Sequence, residues 1–217
     1  MSNYWNKKFI KHMENINIIF EVGARYGNES IELSKQFLNS KIYSFECNPN
    51  TVEMCRKNLE KYNNIVFQSY ALGNKNEMLP FYSFTKNNDG ASSLLKRIDF
   101  ENTQKCNGNI KVKKLCDFVK ENNIDKIDLL CMDVQGYELN ILKGCEDFLQ
   151  NINFIIMEEP KPIINENYLP KNIHSKYINA PTSKEIKDFM IKNNFIEIKR
   201  IEENKIEDNV MYKNILL

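Results

Sequence analysis

Residues 18–27 read IIFEVGARYG, and residues 43–47, about one helix-length further on, read YSFEC. The apolar run predicts a strand covered on both faces, and the glycines after it predict a tight turn into a helix. Gly23 would let a ligand approach the backbone closely, and the start of the helix offers unpaired N–H groups. Glu46, at the end of the second strand, can accept two hydrogen bonds from a ribose diol. Together these features predict a nucleoside-binding βαβ unit.

The residues of the turn distinguish between kinds of nucleotide cofactor. Dinucleotide sites usually read G-x-G-x-x-G, because a pyrophosphate must approach the second glycine, but Arg25 occupies that position here. Glu21, just before the turn, would repel a pyrophosphate but could pair with an ammonium group. This combination favours S-adenosylmethionine, which carries an ammonium group and no phosphate. The alternative is an ordinary strand-to-helix turn in which Gly23 and Gly27 are present for packing.

Composition excludes several other classes of function. The 217 residues suit one globular domain, and 30 basic against 29 acidic residues predict neither nucleic acid nor a membrane surface as a partner. Six cysteines without a CxxC pair indicate reduced thiols, and with two histidines a histidine-rich metal site is not expected. The polar start is unlike a signal peptide, and no run of about 18 apolar residues occurs, which predicts a cytoplasmic protein.

Strands and helices alternate along the chain, which predicts an α/β fold with a mostly parallel, doubly wound sheet and an antiparallel C-terminal strand. The predicted strands are 18–22, 41–46, 65–70, 127–133, 152–158, 195–201 and 210–216. We expect a single domain over 1–217 that begins with a helix over 1–15. Two segments, 85–108 and 159–181, are expected to be active-site loops. No exposed apolar face indicates a dimer, so the oligomeric state is left open.

A second motif, LLCMDVQGYE at residues 129–138, contains a candidate for the chemistry. The apolar strand places Asp133 at the carboxyl edge of the sheet, next to a cofactor bound at Gly23. A carboxylate there could position an acceptor hydroxyl or take its proton, or it could simply cap the following turn. Glu138 could face the same cleft, or it could interact with the dipole of the helix that it begins.

Four stretches occur in a characteristic order: IIFEVGARYG, SFECNP, NNDGASSL and LLCMDVQGYELNILKG. Over about residues 18–160 the chain resembles the FkbM family of S-adenosylmethionine-dependent methyltransferases. The resemblance implies a Rossmann-like class I methyltransferase fold and O-methylation, often of a sugar or polyketide hydroxyl. It implies that a hydroxylated small molecule or glycan is the acceptor. By motif matching, Glu21, Gly23, Gly27 and Glu46 fall on cofactor positions of the family, and Ser92 and Ser93 match a loop near the cofactor and the acceptor. We also expect cofactor contacts from neighbouring residues, namely Arg25, Tyr26, Cys47, Ala71, Leu72 and Asp133.

The chain departs from this family's usual residues at five positions. Glu21 replaces Asp, Arg25 replaces Asn, Cys47 replaces Pro, Cys131 replaces Lys and Gln135 replaces Glu. The last two changes together could remove an ion pair and leave the site intact, or they could alter the choice of substrate or abolish activity.

Three further residues are candidates near the acceptor. Glu158 and Glu159 end the strand that follows the strand of Asp133. Together with Asp133 they could hold a divalent metal, they could bind acceptor hydroxyls, or they could simply repel one another at a solvated rim. We do not favour a metal, and none is assigned. Glu158 is kept as a candidate catalytic residue together with Asp133. His174, in the proline-rich segment, could act as the general base if that loop folds over the acceptor.

Three other functions are weaker alternatives. Tyr82 and Lys86 have the YxxxK spacing of a short-chain dehydrogenase but lie in a strand-like stretch. A nucleic-acid amino-methyltransferase would usually carry an Asn/Asp-Pro-Pro-aromatic turn where residues 133–136 stand. A methyltransferase-like binding module without activity is compatible with the changes at Cys131 and Gln135.

Overall fold

The strands of the protein position the candidate site. A computed structural model describes residues 7–84, 88–97, 104–161, 177–204 and 207–217. In chain order its strands are β1 (Ile18–Val22), β2 (Lys41–Phe45), β3 (Ile65–Gln68), β4 (Ala71–Gly73), β5 (Glu77–Ser83), β6 (Lys105–Lys114), β7 (Ile127–Met132), β8 (Ile152–Pro160), β9 (Phe195–Glu202) and β10 (Glu207–Asn214).

The helices lie between these strands. They are α1 (Lys7–Ile10), α2 (Asn28–Gln36), α3 (Val52–Leu59), α4 (Leu115–Glu121), α5 (Glu138–Lys143) and α6 (Ser183–Lys192), with short 3-10 turns at Asp89–Ala91 and Glu146–Asn151. A capping box begins α6, because the side chains of Thr182 and Glu185 each accept a hydrogen bond from the other's backbone N–H. Within the described ranges, no helix is long and apolar enough to cross a membrane.

Seven strands form the main sheet, in the order β3-β2-β1-β7-β8-β10-β9. β1 is parallel to both of its neighbours, β2 and β7, and β10 is antiparallel to β8 and β9. This confirms the predicted mostly parallel, doubly wound sheet with an antiparallel C-terminal strand. The strand order reverses between β1 and β7, where ligands of such sheets bind at the carboxyl edge.

The core covers both faces of the main sheet. Successive residues of a strand point to opposite faces, so Phe20 packs on one side with Phe45 and Phe118, while Ile19 packs on the other with Leu129. The ring of Phe118 meets those of Phe20 and Phe45 edge-on, with centroids 5.6 and 5.1 Å apart. All six residues of β7 are buried, as its continuous apolar sequence predicts.

A second, three-stranded sheet, in the order β4-β6-β5, corrects one prediction. We expected an irregular loop over 85–108, but residues 105–108 begin the ten-residue strand β6, which pairs antiparallel with β5. Most of β6 is exposed and polar, so it lacks the alternation by which a strand is recognised. Its partner strands, not its own sequence pattern, make it a strand.

Two further expectations change at the ends of elements. The helix predicted over 1–15 is limited in the described residues to α1, and Met13 and Ile16 are buried in the irregular segment that follows it. The loop predicted over 159–181 begins later than expected, because Glu159 and Pro160 complete β8. Residues 162–176 lie outside the described ranges.

Candidate active site

A cavity of about 590 Å³ lies at the carboxyl edge of the main sheet, where β1 and β7 adjoin. This volume falls within the range of about 300–1,000 Å³ that is usual for small-molecule sites. The cavity is lined by twelve of the residues that were proposed from the sequence for the cofactor or for catalysis: Glu21, Gly23, Arg25, Tyr26, Glu46, Cys47, Ala71, Leu72, Ser92, Ser93, Asp133 and Glu158. The structure therefore brings together residues from both sequence motifs.

Gly23, in the glycine turn after β1, lies against the backbone that follows β7. Gly23 has a φ of +94°, and a Cβ built there would lie 1.9 Å from the carbonyl oxygen of Asp133. The Asp133 N–H donates to the carbonyl of Val22 at 2.9 Å, so the ends of β1 and β7 are held together. Gly27 is not on the cavity wall, and a Cβ there would lie 2.7 Å from the side chain of Leu59. The structure therefore supports the packing alternative for Gly27.

Glu21 is buried beside the cavity among hydroxyl groups. The hydroxyl of Ser30 donates to its carboxylate at 2.5 Å, and that of Ser44 donates at 3.1 Å. Burial raises the pKa of Glu21 to about 8, and the two hydroxyls only partly oppose that rise. No lysine or arginine among the described residues forms an ion pair with Glu21. A cationic group in the cavity would therefore stabilise its charged form.

Glu46 lies directly after β2 and is held by backbone amides. The N–H groups of Arg25 and Asn48 donate to its two carboxylate oxygens, the latter at 2.6 Å. Burial raises the pKa of Glu46 to about 7, and these amides act in the opposite direction. The carboxylate is thereby fixed on the cavity wall next to the glycine turn. A rigid acceptor at this place suits a pair of ribose hydroxyls.

Arg25 and Tyr26 hold the 3-10 turn at Asp89–Ala91. The buried carboxylate of Asp89 accepts hydrogen bonds from the Arg25 guanidinium, with Nε at 2.9 Å, and from the Tyr26 hydroxyl. A Cβ on Gly90 would lie 3.1 Å from the guanidinium. The Arg25 side chain thus fixes a wall of the cavity through Asp89, a contact that sequence reasoning missed.

Asp133 and Glu158 are joined through the side chain of Gln135. The amide nitrogen of Gln135 lies 2.6 Å from Oδ1 of Asp133 and 2.9 Å from Oε2 of Glu158. Oε1 of Gln135 accepts from the hydroxyl of Tyr177 at 2.8 Å. The sequence showed Gln135 only as a departure from a family pattern, and nothing in it indicated Tyr177.

Glu138 and Ser93 support the turn that follows Asp133. The carboxylate of Glu138 accepts from the N–H groups of Val134 and Gly136, at 3.2 and 3.3 Å. Burial raises the pKa of Glu138 to about 7. The Ser93 hydroxyl donates to the carbonyl of Gln135 at 2.9 Å. Glu138 does not line the cavity, so its visible role is to shape the turn.

Glu159 corrects the expected acidic cluster. Its carboxylate is fully buried outside the cavity, where it pairs with Arg200 at 3.0 Å and accepts from the Tyr212 hydroxyl. It therefore does not join Asp133 and Glu158. In the described ranges no three His, Cys, Asp or Glu side chains are grouped so that they could hold a metal ion. His174 lies outside the described residues.

Sequence reasoning missed several other lining residues. They are Asn28, Glu29, Asn48, Thr51, Tyr70, Phe81, Arg97, Glu203, Asn204 and Glu207. Glu203 and Asn204 directly follow β9, and Glu207 is the first residue of β10. Because β10 is antiparallel to β8, Glu207 lies beside Pro160 at the carboxyl edge of the parallel strands, so the predicted antiparallel C-terminal strand already indicated this position.

Comparisons with known proteins agree with this geometry. The chain is 23% identical over 190 residues to hexuronic acid methyltransferase AglP of Haloferax volcanii, covering 86% of this chain and 72% of the relative. It is also 23% identical over 168 residues to 2-O-methyltransferase NoeI of Sinorhizobium fredii, covering 70% and 67%.

A solved structure of TrmK from M. capricolum with S-adenosyl-homocysteine shares the fold, with a TM-score of 0.54 and 15% identity over 99% of this chain and 69% of that chain. The architecture is that of class I S-adenosylmethionine-dependent methyltransferases. Residues 21–197, most of the chain, match the methyltransferase FkbM domain. The resemblance seen in the sequence is thereby confirmed, and the chain belongs to the FkbM methyltransferase family.

Proposed function

We propose that this protein is an S-adenosylmethionine-dependent O-methyltransferase that acts on a sugar hydroxyl. The observation that carries the proposal is one cavity that contains two pairs of carboxylates. Glu21 and Glu46 stand at β1 and β2, while Asp133 and Glu158 stand at β7 and β8. The first pair suits a cofactor with an ammonium group and a ribose diol. The second pair suits a hydroxylated acceptor.

The cofactor half of the cavity fits S-adenosylmethionine by its chemistry. Glu21 is a buried carboxyl without a paired cation among the described residues, and an ammonium group would supply one. Glu46 presents a fixed hydrogen-bond acceptor. Leu72 and Phe81 add apolar surface to the lining, which a nucleobase could contact. When bound, S-adenosylmethionine would supply an activated methyl group on a sulfonium sulfur.

The acceptor half offers groups that could align a hydroxyl and take its proton. In the transfer, a bond forms between the acceptor oxygen and the methyl carbon as the carbon–sulfur bond breaks, and the hydroxyl proton must leave. Asp133 and Glu158 are the candidate acceptors for that proton, since both line the cavity. Holding the two reacting groups in one cavity lowers the entropic part of the barrier.

The relatives support a sugar acceptor. AglP is named for hexuronic acid and NoeI for 2-O-methylation. A sugar-acid substrate in one name and an oxygen acceptor in the other support the proposal that the acceptor here is a sugar hydroxyl.

Calorimetric titration with S-adenosylhomocysteine tests the cofactor half. We expect about micromolar affinity for the wild type and a loss of about tenfold or more for Glu46→Gln, which removes a charge-assisted acceptor. Glu53→Gln is the matched control, because Glu53 lies on α3 and is exposed. A folded wild type that binds no S-adenosylhomocysteine would refute the proposal.

Transfer of a labelled methyl group to a panel of methyl hexosides tests the acceptor half. Asp133→Asn should lower turnover by about 100-fold or more, the usual scale for a general base, and should lower turnover far more than S-adenosylhomocysteine affinity. Binding of S-adenosylhomocysteine without transfer to any hydroxylated acceptor would instead favour a binding module.

A further inference from the structure

Gln135 makes an unusual set of contacts for a residue in a turn. Its backbone has a φ of +55°, a left-handed conformation that is uncommon for a residue with a side chain. Its amide nitrogen bonds Oδ1 of Asp133 at 2.6 Å and Oε2 of Glu158 at 2.9 Å. A strained backbone position whose side chain joins two cavity carboxylates is typical of a functional site.

The chemistry of the amide explains why glutamine suits this place. Two carboxylates at one edge of a sheet repel each other, and an amide NH₂ offers two hydrogens, one for each of them. The Tyr177 hydroxyl lies 2.8 Å from Oε1 of Gln135 and 2.8 Å from the carbonyl oxygen of Ala91, so its proton is shared between these acceptors. An inverted amide would place its oxygen against both carboxylates, so the contacts define one orientation.

The backbone of Gln135 is held as firmly as its side chain. The Ser93 hydroxyl donates to its carbonyl at 2.9 Å, and Glu138 accepts from the N–H groups on either side of it. Tyr177, which fixes the amide oxygen, is itself 3% exposed. The side chain therefore stands in a frame built from three separate parts of the chain.

We propose that Gln135 is the positioning residue of the acceptor site. It joins Asp133 and Glu158 into one unit that presents its oxygens to the acceptor hydroxyl, and Tyr177 sets the orientation of its amide. The role in positioning an acceptor rests on the proposed function. The convergence of the side chains of Asp133, Gln135 and Glu158 on one point can be tested independently of that function.

Titration with MnCl₂ at about pH 8 tests that convergence. Gln135→Glu keeps the shape of the side chain and places a third carboxylate between two others, a set of oxygen ligands that suits Mn²⁺. We expect Gln135→Glu to bind Mn²⁺ at least about tenfold more tightly than the wild type. Gln36→Glu, the same change at the exposed end of α2, is the control and should bind as the wild type does.

Two outcomes would overturn the inference. If Gln135→Glu binds Mn²⁺ no better than Gln36→Glu, the three side chains do not converge. If the wild type already binds Mn²⁺ as tightly as Gln135→Glu, a cation and not the amide joins the carboxylates. Titration of the same samples with S-adenosylhomocysteine reports separately on the proposed function, so the failure of either is distinguishable.

Kinetics on the methyl hexoside acceptor test the positioning role. Gln135→Ala should lower kcat by about tenfold or more and shift the acid limb of the pH–rate profile to higher pH, because a donor to the carboxylates is lost. Tyr177→Phe should show the same shift in weaker form, and S-adenosylhomocysteine affinity should stay within about twofold in both variants. A Gln135→Ala enzyme with the wild-type pH profile would overturn the inference.

Discussion

At the scale of the residue, the protonation of Glu21 determines how the cavity receives a cation. Its pKa is raised to about 8 by burial, so near pH 7 the carboxyl is mostly neutral in the ligand-free protein. A bound ammonium group favours the carboxylate, and binding must therefore release a proton. Glu46, with a pKa of about 7, adds a second group that titrates in the same range.

We accordingly expect S-adenosylhomocysteine to bind more tightly as the pH rises from about 6 to about 8, by up to about tenfold per pH unit, because the ionised fraction of Glu21 grows. The binding enthalpy measured by calorimetry should differ between phosphate and Tris, because the released proton is taken up by the buffer and the two buffers differ in ionisation enthalpy. Glu21→Gln should bind weakly with a flatter pH profile, and Glu32→Gln, on the exposed face of α2, should behave as the wild type. Tight binding by Glu21→Gln would contradict this account.

The close approach of Gly23 to Asp133 should make a substitution at this glycine costly. Gly23→Ala would combine a φ of +94° with a Cβ only 1.9 Å from the Asp133 carbonyl oxygen, so the backbone must move. We expect the free energy of unfolding to fall by about 3 kcal/mol or more.

Gly108→Ala is the matched control for Gly23→Ala, since Gly108 has a φ of +81° but nothing within 4 Å of its added Cβ. The free energy of unfolding of Gly108→Ala should fall by only about 1–2 kcal/mol, which is the cost of the left-handed conformation. Urea unfolding of both variants makes the comparison. Equal losses would mean that the close approach contributes nothing.

The sequence identified which residues line the cavity better than it identified the contacts that these residues make. Glu21, Glu46 and Asp133 stand at strand ends, where periodicity and glycine punctuation locate them, and all three line the cavity. The role of Gln135 was not predictable, because it depends on Glu158 and Tyr177, which lie 23 and 42 residues away. Such contacts are created by the fold and leave no local pattern.

At the scale of the element, β8, β9 and β10 are tied by a buried charge. Glu159 on β8 pairs with Arg200 on β9 and with the Tyr212 hydroxyl on β10. Burial raises the pKa of Glu159, and the bonds from Tyr212 and Arg200 oppose that rise. The C-terminal part of the sheet therefore depends on a cation that stays in place.

Removing that cation should destabilise the fold. Arg200→Ala leaves the Glu159 carboxyl buried without its ion pair, and we expect a loss of about 3 kcal/mol in the free energy of unfolding. Arg56→Ala breaks an exposed pair with Glu53 at 3.6 Å and should cost at most about 1 kcal/mol. Urea unfolding measures both. A small effect for Arg200→Ala would mean that Glu159 is satisfied as a neutral acid by Tyr212 and Ser183.

Elements with strong apolar patterns were predicted correctly, whereas the largely exposed strand β6 was not. The buried strands β1, β7 and β8 read as apolar runs, so their sequence positions were evident. β6 is largely exposed and was assigned to a loop, because strand pairing with β5 is a non-local property. The helix over 1–15 was overextended because a few spaced apolar residues also occur in irregular chain that packs on the core.

At the scale of the whole molecule, charge is unevenly distributed although the net charge is +1. The lining of the cavity includes Asp133, Glu158, Glu203 and Glu207 in addition to Glu21 and Glu46. Among the described residues, the lining contains only one arginine besides Arg25, which is Arg97, and its guanidinium lies near the rings of Phe84 and Tyr177. An acceptor that enters this cavity meets more negative than positive charge.

We therefore expect neutral methyl hexosides to be better acceptors than methyl hexuronides by about tenfold in kcat/KM, because like charges repel in a partly desolvated site. Raised sodium chloride should narrow this difference by screening. Glu207→Gln should improve only the hexuronide, and Glu60→Gln, at the end of α3, should change neither. A preference for the hexuronide would show that the carboxylates do not control the choice.

The pairing of β1 with β7 has a consequence for how the protein acquires its cavity. These neighbouring strands are separated by more than a hundred residues along the chain, and the Val22–Asp133 hydrogen bond joins them. Contacts between such distant segments close large loops and generally slow folding. A nascent chain that ends before residue 127 already contains the glycine turn, Glu46 and Asp89 but lacks Asp133 and Glu158. Ligand binding thus becomes possible at a late stage of folding, when β7 inserts beside β1.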